Sequence, residues 1–189
     1  MNTQPNSTPT TDTPVKKTYK AFNSVQLNIV TIVDVAKILR NDSAEGCVYM
    51  MDNNVNSQGQ GTSNLQTVCK GGQTLNWIIY AMDSNQLPDG SWPASVRINN
   101  LVFVENDRTE TETLRVCDEL KIYGGPDRIN SRYTPVYYYW AGTVSPSIEG
   151  GIYNYRFVLQ IDIPGQSKSL YYNFDTPSLL VLPQVPQDI

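Results

Sequence analysis

Residues 152–175 read IYNYRFVLQIDIPGQSKSLYYNFD. Tyr153, Tyr155, Phe157, Leu159, Ile161 and Ile163 place an apolar or aromatic side chain at every second position, with mostly polar residues between them. That period of two is the pattern of a half-buried β-strand. Pro164-Gly165-Gln166-Ser167 then supplies a turn, and Leu170, Tyr172 and Phe174 resume the alternation as the returning arm of an antiparallel hairpin. The odd-numbered residues of the first arm are expected to face the core.

The rest of the chain agrees with an all-β class. Twelve Tyr, twelve Gly and twelve Pro in 189 residues favour short strands joined by turns. A chain of this length buries about two-thirds of its unfolded surface without disulfide or metal support, so one core is expected. Residues 1–21 are polar and Pro-containing, too poor in apolar groups to offset the entropy of ordering them, and read as a flexible tail. A single β-sandwich domain is expected over 22–183 and a short C-terminal tail over 184–189. Val25, Leu27 and Ile29 alternate, and the phase then slips to Val30, Ile32 and Val33, consistent with a bulge or a strand buried on both faces. Asp34 is placed to cap a short helix whose Val35, Ile38 and Leu39 share one side. Further strands are expected at 47–51, 65–69, 73–82, 96–104, 114–117 and 120–123, and Trp77 shares the Leu75/Ile79 face, where core packing is favoured over ligand stacking. Together these segments predict a two-sheet antiparallel β-sandwich, of jelly-roll or immunoglobulin-like kind, with one short helix after the first strand.

Chemical signatures are sparse. The chain has no histidine, which removes the usual general base at neutral pH, the usual partner of a nucleophilic Ser or Cys, and the commonest zinc ligand. G-x-S-x-G, G-x-x-x-x-G-K-[ST] and G-x-G-x-x-G are all missing. No catalytic residue and no cofactor is expected. A glycosidase needs only two carboxylates about 5–10 Å apart, but with eighteen acidic residues a chance pair carries little information. The net charge of −4 opposes nucleic-acid and anionic-membrane partners, and the cluster Lys16, Lys17 and Lys20 reads as a solvated charge run in the tail. Residues 1–14 have no apolar core region, so neither a secretory signal nor a membrane segment is expected there, and a cytoplasmic location follows. Cys47, Cys69 and Cys117 form no C-x-x-C and read as reduced, buried thiols, with a Cys47–Cys69 bridge as the alternative in an oxidising compartment.

Two stretches invite a functional reading. Asp52, Asn54 and Asn56 match the opening D-x-N-x-N of a calcium loop, while Ser57 and Ser63 stand where that loop needs Gly and Glu, so a hydrogen-bonded hairpin loop is favoured over a metal site. The run Tyr137, Tyr138, Tyr139 and Trp140, laid along a strand, makes both faces aromatic. The face that does not enter the core is then covered by a loop or another subunit, or stacks sugars.

Several segments in order resemble the AidA/PixA family of bacterial inclusion-body proteins: Ile29–Val35 (IVTIVDV) with its helix, Val48–Ser57 (VYMMDNNVNS), Leu65–Trp77 (LQTVCKGGQTLNW), and the hairpin with YRFVLQIDI and LYYNFDTP. The resemblance spans roughly residues 24–180. It implies a small cytoplasmic protein of Gram-negative, often host-associated bacteria, made late in growth and in some members under quorum-sensing control. Some members pack into crystalline inclusions, and no enzymatic activity, catalytic residue or cofactor is implied. The inclusion-forming branch is Met-rich; with four methionines this chain stands nearer the AidA-like branch. The expectation is a non-enzymatic protein whose partner is a second copy of itself. The alternative is a lectin-like module binding a glycan through surface aromatics and loops such as 52–56 or 99–100.

Overall fold

A computed structural model describes residues 26–82, 88–91, 93–104, 114–124 and 138–183. The expected tails at 1–21 and 184–189, the expected domain start at Phe22, and Tyr137 lie outside them. Among the described residues ten strands and one helix follow in the order β1 (Gln26–Val33), α1 (Val35–Asn41), β2 (Val48–Asp52), β3 (Gln66–Lys70), β4 (Thr74–Ala81), β5 (Ser95–Val104), β6 (Cys117–Gly124), β7 (Tyr138–Val144), β8 (Gly151–Asp162), β9 (Leu170–Phe174) and β10 (Ser178–Leu182). Sheet A has the order β2-β1-β4-β7-β6 and sheet B the order β3-β10-β8-β5, with β9 also paired to β8.

The hairpin is as its alternation predicts. β8 and β9 pair antiparallel, with Phe157 opposite Phe174 and Leu159 opposite Tyr172. Tyr155, Phe157, Leu159 and Ile161 are fully buried. Gln166 N–H donates to the Ile163 carbonyl at 3.0 Å, and Gly165, at φ +81°, holds the left-handed position that follows Pro164 in a type II turn.

Each sheet is mixed, which the antiparallel expectation did not include. β1 pairs parallel to β4, and β10 parallel to β3. The cause is the route of the chain: β3 belongs to sheet B, the two-residue turn Gly71-Gly72 carries the chain across, and β4 runs back into sheet A beside β1. Glycine suits this turn because Gly72 sits at φ +82°. β1 is continuous, without the bulge considered from its sequence. Leu27, Ile29, Thr31 and Val33 are buried on one face, and Val30 and Ile32 are half-buried on the other. The apparent slip in phase is a threonine in the core combined with an apolar outer face.

Asp34 caps α1 as expected, its Oδ1 accepting from Lys37 N at 2.8 Å. Val35 and Ile38 enter the core, whereas Leu39, 36% exposed, turns away from it. Trp77, fully buried, meets Tyr155 edge-on at 5.9 Å between ring centroids, and Tyr155 in turn packs against Phe103 at 6.0 Å and Phe157 at 5.4 Å. These rings join the two sheets across the middle of the sandwich.

Candidate interaction surface

Register decides which side chains share a face. On the inner face of sheet A one row crosses all five strands: Asp52, Ile29, Trp77, Trp140 and Ile122. One residue along, on the outer face, the row is Met51, Val30, Ile78, Tyr139 and Tyr123. It is apolar or aromatic on every strand. Tyr49, Ile32 and Tyr80 extend it by a second row over three strands. Met51 is 44% and Tyr80 48% exposed. In the other direction the outer face becomes polar and carries charge only on β6, at Lys121 and Asp118. Asn76 Nδ2 donates to Asn28 Oδ1 at 2.8 Å, and the hydroxyls of Thr74 and Thr143 lie 3.4 Å apart.

The aromatic run divides between these two faces. Tyr139 points outward and stacks on Tyr123, with centroids 5.4 Å apart and planes 17° from parallel, while the Lys121 ammonium lies 5.3 Å from the Tyr123 ring centre. Trp140 points inward, and its indole N–H donates to the Ile98 carbonyl at 2.9 Å. That bond ties sheet A to sheet B at the place where β5 shifts register between Ile98 and Asn100. A bulge disrupts the local ladder, so this carbonyl is suited to accept from a side chain. Tyr138 lies beneath the Arg97 guanidinium, 5.5 Å from ring centre to Cζ. Trp140→Phe is expected to cost about 1–3 kcal/mol, because the Ile98 oxygen is left without its donor. Urea denaturation checks this; a loss of no more than about 0.5 kcal/mol, the scale of an ordinary surface change, would show that the bond does not hold the sheets.

The Asp52 loop uses its polar side chains on its own backbone. Asp52 Oδ1 accepts from Asn54 N at 2.8 Å and from Gln60 Nε2 at 3.0 Å, and Asp52 N donates to Gln60 Oε1 at 2.9 Å. Asn54 Oδ1 accepts from Asn56 N at 3.0 Å, and Asn54 Nδ2 donates to the Val68 carbonyl at 2.6 Å. The loop also sews the edge of sheet A to that of sheet B: Met50 N donates to Thr62 O at 3.0 Å, and Gln66 N to Gln58 O at 2.9 Å. Gly59, at φ +74°, passes so close to the Asn64 carbonyl that a Cβ would stand 2.5 Å from its oxygen. Among the described residues no group of three His, Cys, Asp or Glu side chains is placed to hold a metal ion.

All three cysteines are free and buried. Burial pushes the Cys69 thiol up to about 12, and it raises Cys117 further, helped by the neighbouring Cys69. The Tyr155 hydroxyl is raised by complete burial, an effect that the facing Trp77 indole partly offsets. Among the described residues neither Trp77 Nε1 nor Tyr155 Oη has a hydrogen-bond partner of ordinary geometry.

The tyrosines at 49, 80 and 123 and the apolar pair Val30/Ile32 had no place in a functional reading of the sequence. For Val30 and Ile32 the signal was the double-sided apolarity of residues 25–33; only register joins the tyrosines of three other strands to them as a continuous surface. Among the described residues no helix is long and apolar enough to cross a membrane.

A known inclusion body protein shares the overall fold. The crystal structure of PixA from Burkholderia cenocepacia J2315 superimposes with a TM-score of 0.57 over 83% of this chain and 95% of that one, at 9% sequence identity. In all, 11 chains of solved structures match the fold. By sequence, residues 25–124, more than half of the 189, match the family described as a domain of unknown function, DUF8788, and the chain belongs to that family. No curated protein matches.

Proposed function

We propose that this chain is a non-enzymatic, self-associating protein of the inclusion-body type, acting in the cytoplasm. The observation that carries the reading is the outer face of sheet A, where five adjacent strands present Met51, Val30, Ile78, Tyr139 and Tyr123 in one row. A continuous apolar row with partly exposed members is the kind of surface that binds another protein. The likeness to a protein named for inclusion bodies supports the same reading. Size-exclusion chromatography with light scattering at micromolar concentration is expected to show a species larger than one chain, and overproducing cells are expected to accumulate inclusions. A strictly monomeric chain that forms no inclusions overturns the reading.

The stacked Tyr123–Tyr139 pair favours a second reading, a glycan platform. It predicts retention on a glycan array with loss of signal in Tyr123→Ala.

A further inference from the structure

Resting on the self-association reading, we infer which surface two copies share: the outer faces of sheet A stack on one another about a two-fold axis that runs along β4. Three observations lead there. First, the outer-facing residues of β2, β1, β4 and β7 include no ionised side chain; the charged ones, Asp118 and Lys121, lie on the edge strand β6. A chain of net charge −4 can therefore meet its own copy here without facing like charges. Second, the size reaches the lower bound for an interface. Five strands at about 4.8 Å spacing and about 3.3 Å rise per residue make a face of at most roughly 600 Å², to which the buried Asn76 and Ala141 add little. Two such faces hide up to about 1,200 Å², where stable specific interfaces begin.

Third, the face is divided into an apolar half and a polar half along the strand direction, and this selects the axis. A two-fold axis parallel to the strands lays apolar half on apolar half and the Asn28/Asn76/Thr143 half on its own kind. An axis across the strands at the centre of the face would set Tyr139 and Ile78 against asparagines. With β4 central in the order β2-β1-β4-β7-β6, Ile78 meets Ile78 of the second copy, Val30 lies over Tyr139, and Met51 lies over Tyr123. Aligned packing of two twisted sheets at about 30° permits this stacking.

Cysteine crosslinking tests the arrangement. The native thiols are buried, so in Ile78→Cys the introduced sulfur is the accessible one. Mild copper-phenanthroline oxidation is expected to convert most of that variant to a disulfide-linked dimer on a non-reducing gel. Val55→Cys, at a loop position 97% exposed and off the sheet face, is expected to crosslink no more than wild type. A wild-type chain that is monomeric by light scattering overturns self-association itself. A wild-type dimer in which Ile78→Cys crosslinks no better than Val55→Cys leaves self-association standing and overturns this face.

Discussion

Trp77→Ala is expected to lower the unfolding free energy by about 3–5 kcal/mol, the range for deleting a fully buried large aromatic. Trp77 is the central member of the inner row of sheet A, flanked by Ile29 and Trp140 and met from sheet B by the edge of Tyr155. Alanine leaves a cavity where both sheets converge, and the β-ladders on either side prevent β4 from moving in to fill it. Trp77→Phe isolates the contribution of packing. It keeps an aromatic ring and removes an indole N–H that has no hydrogen-bond partner of ordinary geometry among the described residues, so its cost should be well under half that of the alanine variant. Urea denaturation of the three proteins measures both differences. If Trp77→Ala unfolds within about 1 kcal/mol of wild type, near the average for any point substitution, the centre of the core is misplaced.

The second large effect is alkaline unfolding. Cys69 has its pKa raised from 9.0 to about 12 in the folded chain by burial. Between those values the unfolded thiol is ionised while the folded one keeps its proton, so the unfolded state binds fewer protons and stability falls as pH rises. The contribution is fully present below pH 9 and is lost on the way to pH 12. At about 1.36 kcal/mol per pKa unit, the gap amounts to about 4 kcal/mol for this thiol. Cys117 and Tyr155, raised for the same reason, act in the same direction. Urea midpoints followed by circular dichroism should decline steeply above pH 9, and Cys69→Ala should move that decline to higher pH. An unchanged midpoint at about pH 11, where the folded and unfolded thiols differ in ionisation, would show that Cys69 is not held in the core.

How far the sequence reached depended on the range of the interaction. Local alternation was enough for the β8–β9 hairpin, because strand period and turn chemistry lie within two dozen neighbouring residues. The Asp34 cap was legible for the same reason: an Asx side chain and the amide three residues on are covalently close. The parallel pairing of β1 with β4 was not, since the chain passes through the other sheet between them and no local pattern records that crossing. Leu39 shows the same limit at small scale. Its spacing from Val35 suits a buried helix face, but this seven-residue helix buries only Val35 and Ile38.

The aromatic run shows where the boundary falls within a single site. Strand period alone sends Tyr139 and Trp140 to opposite faces, and the structure places them so. Nothing in the period says which face is inward. Pairing with Trp77, together with the acceptor at Ile98, turns Trp140 into the core and leaves Tyr139 on the outer face beside Tyr123.

The sequence by itself determined the class, the hairpin, the helix cap and the core role of Trp77, because side-chain period and turn residues act over a few positions. Tertiary structure alone decided that Met51, Val30, Ile78, Tyr139 and Tyr123, drawn from five separate strands, form one surface. Their neighbourhood is created by inter-strand register, which depends on the hydrogen-bonded pairing of segments up to about seventy residues apart.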